Sequence, residues 1–312
     1  MPISRRLFLR DGAQALSAAS LLGAMPTLVT AKDQPSSISA RDVSVSDVSG
    51  LAVFAGAGCN VVALPGPEGV LLVDGGLAVN SSVLLKSIAA NLKTKRVQTL
   101  INTHWHPEQT GSNEAIGNAG GTIISHEVTR LFLGRRVRSA LYDGFYGPLP
   151  VKARPTVTTY NTGTLTFADE QVDYRYLPAA HTNGDLFIHF PKHNVIAAGG
   201  PVSAERWPVM DYLNGAFMHG FVRSYEILAE VAKADTVIVP ANGRTLTGAD
   251  IVRQKDMYWA LFKQFFIYFN KGFGPQDVVD AHPLKDYEAQ YGDPAQFLEY
   301  AYRSVQLATI PH

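Results

Sequence analysis

Short hydrophobic runs separated by polar turns divide the first half of the chain into strands and helices. Apolar runs at residues 51–54, 60–64 and 70–73 are bounded by turn-forming sequences, which is typical of β-strands. The run at 70–73 is continuously apolar, as expected for a strand that is covered on both faces. Apolar positions at helical spacing then predict a helix over residues 81–92.

The same alternation continues along the rest of the chain and predicts an α/β sheet structure. Further strands are predicted over residues 97–102, 122–125, 157–160, 165–167, 172–177, 185–190, 194–198 and 236–239, and helices over 126–137, 217–233 and 249–271, with one or two more helices after residue 275. No repeat or low-complexity tract interrupts this pattern. We therefore expect one domain over residues 43–312, with a C-terminal helical extension from about residue 250.

The first 31 residues are predicted to be an export signal. Arg5 and Arg6 precede hydrophobic residues in a pattern that resembles the twin-arginine motif. An alanine- and leucine-rich stretch follows, and small residues ending at Ala31 offer a signal-peptidase site before the polar linker over residues 32–42. We expect the twin-arginine export machinery to deliver the protein to the periplasm. An uncleaved signal that tethers the protein and an amphipathic N-terminal helix are the alternatives.

The composition excludes several kinds of partner and of metal site. The chain has 312 residues, 46% of them hydrophobic, which is enough for a sizeable core. Its 27 lysines and arginines balance 27 aspartates and glutamates, so no overall basic field favours nucleic acid as a partner. The single cysteine, Cys59, cannot close an intrachain disulfide or build a thiolate cluster. Any metal site must therefore use nitrogen and oxygen ligands.

Three histidines are the candidate metal ligands. His104 and His106 follow a predicted strand, and on an extended loop residues i and i+2 project to the same side. His181 lies in a polar turn between two other predicted strands. Three imidazoles of this kind suit zinc and leave a fourth position for water. The alternative is a pair of polar loops in which the histidines have no metal-binding role.

The chain resembles the metallo-β-lactamase-fold hydrolases over about residues 43–250. The resemblance is carried by the turn at residues 73–76, the His-x-His loop within residues 102–113, the His181 turn and the segment 239–243. It implies an αββα sandwich, in which two mixed β-sheets are flanked by helices. It also implies that His104, His106 and His181 form the first metal site of the family.

The second metal site of the family is degenerate in this chain. The resemblance implies that Glu108 stands where the family has an aspartate and Gln109 where it has a histidine. Gly200 stands at the position of the bridging aspartate, and Asn242 at that of the last histidine. Neutral amide oxygens are weak substitutes for anionic or imidazole donors. We therefore expect one Zn²⁺ ion per chain.

A specific role is expected for each of four polar residues near the histidines. Glu108 is the candidate for orienting or deprotonating the catalytic water, with capping of the following helix as the alternative. Gln109 and Asn242 are candidates for hydrogen bonds to a substrate or water, and packing is equally consistent with them. Asp74 resembles the structural aspartate of the family and would brace the metal loop.

These observations lead to two functional hypotheses. The first is an exported single-zinc hydrolase that cleaves an ester, lactone or amide-type bond of a small-molecule substrate, using hydroxide that the metal generates from water. The second is a non-catalytic relative that binds a ligand or carries a metal; metal-dependent turnover would separate the two. The aromatic segment 258–269 is a candidate for core packing, a homodimer interface or a pocket wall.

Overall fold

The computed structural model describes residues 42–94 and 96–309. The predicted export signal lies outside these residues, and so does the predicted linker except for Asp42. Within the described part, no helix combines the length and the apolar character that a membrane crossing requires.

The first β-sheet has seven strands, which lie in chain order from one edge to the other. The strands are β1 (Ser44–Val48), β2 (Leu51–Ala55), β3 (Val61–Gly66), β4 (Gly69–Val73), β5 (Val97–Ile101), β6 (Thr122–His126) and β7 (Val157–Thr159). The pairs from β1 to β4 are antiparallel and those from β4 to β7 are parallel, so the sheet is mixed.

The second β-sheet has six strands in the order β13-β12-β11-β10-β9-β8. The strands are β8 (Thr162–Phe167), β9 (Glu170–Leu177), β10 (Asp185–Phe190), β11 (Val195–Gly199), β12 (Val237–Pro240) and β13 (Leu246–Thr247). Only β11 and β12 pair in parallel, so this sheet is mixed as well.

Helices cover the outer faces of the two sheets. They are α1 (Ser81–Leu92), α2 (Pro107–Thr110), α3 (Asn113–Asn118), α4 (Glu127–Leu133), α5 (Met218–Val231), α6 (Gly248–Asn270), α7 (Pro275–Asp280), α8 (Glu288–Tyr291) and α9 (Ala295–Thr309). The predicted αββα sandwich of two mixed sheets is confirmed.

Strand β4 shows how the layers are built from alternating side chains. Leu71 joins the core between the two sheets, where it packs in one cluster with Ile188 of β10. Leu72 points the other way and packs in a cluster with Leu84 and Ile88 of α1. Every residue of β4 is buried, as its continuous apolar run predicts.

Two predicted helical segments differ from the structure. The helix predicted over residues 126–137 ends at Leu133, because the chain turns at Gly134 into a loop that packs over the metal loop. His126 is the N-cap of this helix, and its Nδ1 accepts a hydrogen bond from the Val128 amide. From residue 275 the described part of the chain forms three α-helices of 6, 4 and 15 residues rather than one or two. Gly292 and Pro294 separate the last two of them.

The loops that carry the candidate residues meet at one edge of the sandwich. Asp74 follows β4, Asn102 follows β5, and Gly200 follows β11. Parallel strands bring their carboxyl ends to the same edge, where α/β proteins place ligands. The Leu186 amide of β10 donates to the Thr103 carbonyl at 2.8 Å and joins the two sheets at this edge.

Replacing Gly220 in α5 by alanine is expected to destabilise the protein, although alanine is normally the better helix former. A β-carbon at this position would lie 2.3 Å from the Pro178 carbonyl oxygen, because α5 packs directly on the backbone that leads to His181. We expect a loss of about 1–3 kcal/mol in the free energy of unfolding, measured in urea. The exposed Glu230 of the same helix is the control, and its alanine variant should change stability by less than about 0.5 kcal/mol. A more stable G220A protein would contradict the packing described here.

Candidate metal centre

The loop that carries His104 and His106 is held between two buried asparagines. The Asn102 amide donates to Asn113 Oδ1 at 3.1 Å, and the Asn113 amide donates back to Asn102 Oδ1 at 2.8 Å. Asn102 Nδ2 also donates to the Gln109 carbonyl, and Asn113 Nδ2 to the Ala153 carbonyl. Both asparagines are fully buried, so losing one partner would leave costly unpaired groups. This reciprocal pair fixes the two ends of the loop.

Trp105 lies between the two histidines in the sequence, and its side chain packs into the protein interior. Its side chain is fully buried. Its ring lies 4.5 Å from the His106 ring, 5.6 Å from Phe132 and 6.1 Å from Tyr146, measured between ring centroids. The tryptophan therefore anchors the loop in an aromatic cluster, while the imidazoles on either side face the opposite direction.

The structure brings the three predicted histidine ligands together. One potential ligand nitrogen from each of His104, His106 and His181 lies within 4.8 Å of the others, and all three residues are buried. Their ring centroids are separated by 4.5 to 4.8 Å. Burial and the neighbouring imidazoles lower the pKa of His104 well below its usual value and that of His181 to about 3. These two imidazoles are therefore neutral, as metal ligation requires.

His104 is oriented by Thr103 and Asp74. The Thr103 amide and hydroxyl donate to the two oxygens of Asp74 at 2.7 and 2.8 Å. When Asp74 is ionised, the hydroxyl donates its only proton to the carboxylate, so in its contact with His104 Nδ1 at 2.9 Å the imidazole is the donor. His104 Nε2 is then left with its lone pair. Asp74 itself has a positive φ of 64°, a conformation that non-glycine residues rarely adopt, and burial raises its pKa to about 8.

The other two histidines are oriented in the same manner. His106 Nε2 donates to Asp211 Oδ2 at 3.2 Å, and Asn214 Nδ2 donates to the same oxygen at 2.8 Å. His181 Nδ1 donates to the Val209 carbonyl. Each imidazole thus has its proton on the outer nitrogen, which fixes the tautomer and leaves the inner nitrogen free to coordinate.

Asp185 holds the turn that presents His181. Its Oδ2 accepts the backbone amides of His181 and Thr182 at 2.7 and 2.8 Å, and its Oδ1 accepts the Thr182 hydroxyl at 2.8 Å. Burial raises the pKa of Asp185 to about 7, which outweighs the lowering effect of these hydrogen bonds. The Asp185 carboxylate therefore supplies the hydrogen-bond acceptors for two backbone amides of this turn.

The donor set fits a divalent metal ion such as zinc. His106 Nδ1 and His181 Nε2 lie 2.9 Å apart, although the outer nitrogens carry the protons of both rings. Two facing lone pairs at this distance repel unless a cation accepts both. Three neutral imidazole nitrogens that converge in a buried site are the ligand set of a catalytic zinc with one open position.

Glu108 lies beside this group, in the first turn of α2. Its Oε2 accepts a hydrogen bond from the Tyr142 hydroxyl at 2.8 Å. The Tyr142 ring meets the His106 ring edge-on, with 5.6 Å between centroids. Burial, followed by the charge of Glu108, raises the pKa of Tyr142 well above its usual value, so the phenol keeps its proton.

Comparison with known proteins identifies the family of this chain. Residues 55–243 match the model of the metallo-beta-lactamase superfamily, which is more than half of the chain. The chain belongs to that superfamily. Its members are usually zinc-dependent, in agreement with the three-histidine group.

Several superfamily proteins are similar to this chain at low sequence identity. The linear primary-alkylsulfatase of Pseudomonas sp. (strain ATCC 19151) is 23% identical over 266 residues, which cover 72% of this chain and 50% of that protein. The sec-alkylsulfatase Pisa1 from Pseudomonas sp. has a TM-score of 0.62 at 16% identity, covering 84% of this chain and 50% of that chain. This chain therefore spans about half the length of these alkylsulfatases.

Shorter superfamily members match over most of their own length. A metallo-beta-lactamase from Pontibacter korlensis has a TM-score of 0.54 at 19% identity, covering 70% of this chain and 93% of that chain. The DIM-1 metallo-beta-lactamase has a TM-score of 0.56 at 16% identity, covering 70% and 98%. At these identities the likeness establishes the fold, and the substrate has to be argued from the site.

The resemblance implies that Gly200 stands at the position of a bridging aspartate, and the structure leaves no room for a side chain there. A β-carbon at Gly200 would lie 2.2 Å from Cδ2 and 2.7 Å from Nε2 of His181. The His181 ring therefore occupies the space that a bridging aspartate would need. Aspartate at residue 200 requires a different position of a first-site histidine.

Gln109 and Asn242, the other two neutral replacements, lie in different surroundings. Gln109 is buried, and its Oε1 has no hydrogen-bond partner among the described residues. Asn242 is half-buried in the loop after β12. The amide of Asn60 holds this loop by donating to the carbonyls of Pro240 and Gly243 at 3.0 and 2.9 Å. Contact of Gln109 or Asn242 with a substrate stays a prediction.

Sequence reasoning missed several residues that organise the centre. Asp185 carries a local signal, because it follows His181 by four residues in a polar turn. Asn102 and Asn113 bracket the histidine motif and could have been recognised as a pair. Asp211, which the structure pairs with His106, lies 105 residues away in the sequence and carries no local signal.

Replacing Thr103 by valine is expected to weaken zinc binding about tenfold or more, because the hydroxyl links Asp74 to His104. The dissociation constant for zinc is measured by competition with a chromophoric chelator. The serine variant keeps the hydroxyl and should bind zinc nearly as the wild type does. Equal affinity of the valine variant and the wild type would show that this link does not orient His104.

Proposed function

We propose that this protein is a hydrolase with a single zinc ion, which cleaves an ester, lactone or amide-type bond of a small molecule. One observation carries the proposal. His104, His106 and His181 present three neutral nitrogens to one point, and a separate partner fixes the outer nitrogen of each ring. Such preorganisation suits a site that keeps one position open for chemistry.

The residues of this chain divide the work of the reaction. A zinc ion in this donor set lowers the pKa of a water ligand to about 7 and polarises the oxygen of the scissile group. Thr103, Asp211 and the Val209 carbonyl keep the histidines in the ligating tautomers. Glu108 orients the attacking water and accepts its proton, while Asp74 braces the metal loop through Thr103.

Esters, lactones and amide-type compounds are the candidate substrates. The relatives of this chain include two alkylsulfatases, so alkyl sulfates belong among the test substrates. The superfamily scaffold hosts many chemistries, and the fold does not choose between them. A non-catalytic relative is the second candidate, because His181 occupies the space of a bridging carboxylate that two-metal members use.

The location and assembly of the protein are further parts of the proposal. The pattern at residues 1–31 supports export through the twin-arginine machinery to the periplasm. Phe266, Ile267 and Phe269 of α6 are between 39% and 47% exposed, and this apolar surface supports a homodimer.

A panel of p-nitrophenyl esters, lactones, amides and alkyl sulfates tests the proposal on zinc-loaded protein. We expect turnover of at least one substrate above background, abolished by a chelator and restored by added zinc. The His104→Ala variant should lack both tight zinc binding and turnover, because it removes one of the three ligand nitrogens.

The His219→Ala variant is the matched control for a histidine outside the three-histidine group. His219 lies in the first turn of α5 and contacts Phe262, so its loss should leave zinc binding and turnover in place. If no substrate of the panel shows metal-dependent turnover, the non-catalytic candidate is favoured. Turnover that survives in H104A would show that another site is responsible.

A further inference from the structure

Tyr142 lies on a closed loop that packs over the metal loop. The loop is closed at its base by two hydrogen bonds of 2.8 Å between the backbones of Val137 and Tyr146. Asn214 Nδ2 bonds the Arg138 carbonyl at 2.9 Å and also bonds Asp211, the partner of His106. The loop is thus attached to the same residues that hold the metal ligands.

The Tyr142 hydroxyl makes one specific contact, with Glu108. Its single proton is donated to Glu108 Oε2 at 2.8 Å. The ring above this contact packs edge-on against His106. One oxygen of Glu108 is therefore engaged by a phenol whose ring also packs against His106.

Glu108 lies two residues after His106, in the first turn of α2. A carboxylate so close to a divalent ion becomes a ligand itself unless its oxygens are held elsewhere, because carboxylate oxygen is a good zinc donor. A carboxylate that binds the ion through both of its oxygens takes the position of the water and adds a fifth ligand atom, and it cannot also accept the water's proton. The role proposed above for Glu108 therefore requires something that restrains it.

We propose that Tyr142 is the positioning residue that restrains Glu108, holding its carboxylate off the metal ion so that the fourth ligand position stays with water. This inference rests on the proposed function of the three-histidine site. It assigns to the loop over residues 137–146 a specific role in the chemistry, beyond covering the centre.

Tyr146 provides a matched comparison within the same loop. Its hydroxyl lies 2.7 Å from the Thr110 hydroxyl, so it bonds Thr110 where Tyr142 bonds Glu108. Both tyrosines can be changed to phenylalanine, which removes one hydroxyl and keeps the ring. A general loosening of the loop would affect both variants, whereas the restraint of Glu108 depends on Tyr142 alone.

Cobalt substitution gives a readout that does not depend on activity. Cobalt(II) with four ligands in a tetrahedron absorbs visible light more strongly than cobalt with five or six ligands. Wild type, Y142F, E108Q, Y142F/E108Q and Y146F are loaded with cobalt, and their visible spectra are compared at equal metal content. We expect strong absorption for the wild type and weaker absorption for Y142F, because the released carboxylate joins the ion.

The double variant decides the interpretation. In Y142F/E108Q the released group is an amide, so the strong absorption of the wild type should return, and Y146F should keep it throughout. Weak absorption in both Y142F and the double variant would show that the tyrosine acts on the centre by another route. Identical spectra of the wild type and Y142F would overturn the inference.

Kinetics with a substrate from the panel provide the second measurement. We expect Y142F to lower kcat about 10-fold or more with little change in KM, and Y142F/E108Q to be no slower than E108Q alone. Additive losses in the two single variants would contradict action through Glu108. If the wild type binds cobalt but no substrate turns over, the proposed hydrolase function fails while the spectra still test the restraint. If no cobalt binds, both proposals fail.

Discussion

The whole centre depends on one constraint: three buried imidazoles must all be neutral and must all turn an unprotonated nitrogen inward, which is Nε2 in His104 and His181 and Nδ1 in His106. Burial keeps His104 and His181 uncharged. The partners Thr103, Asp211 and the Val209 carbonyl accept the outer protons and so fix the tautomers. The inner lone pairs then repel one another, and a bound cation relieves that repulsion. The two sheets bring the three histidines together at one edge. The loop after β5 carries two of them, and the turn between β9 and β10 carries the third.

The packing that builds the three-histidine group also leaves no room for a side chain at residue 200. His181 lies so close to Gly200 that no side chain fits between them. The carboxylate of Glu108, which the superfamily's pattern would direct to a second ion, is bound instead by the Tyr142 hydroxyl. These two features act in the same direction. Gly200 leaves room for the His181 imidazole, and the Tyr142 phenol engages the Glu108 carboxylate. Both favour a centre with one metal ion and a free water position.

Local sequence patterns predict the strands and the candidate histidines, because these features depend on short stretches, and the family resemblance implies the αββα sandwich. The continuous apolar run of β4 and the His-x-His spacing are both readable over a few residues. The ligand partners are different: Asp211 lies 105 residues from His106, and Tyr142 lies 34 residues from Glu108. Neither pairing has a periodic or local signal, so only the fold reveals it. The early end of α4 at Leu133 also has no local signal, because the loop that follows the helix is shaped by contacts with the metal loop.

The number of zinc ions per chain tests the central claim most directly. Elemental analysis of protein purified without chelators, compared with the H104A/H181A double variant, gives that number. The account predicts about one zinc ion in the wild type and none in the double variant. Two ions per wild-type chain would contradict it, because the His181 ring fills the space beside Gly200 and the Tyr142 hydroxyl engages Glu108. An absence of zinc even after incubation with the metal would contradict the three-histidine centre itself.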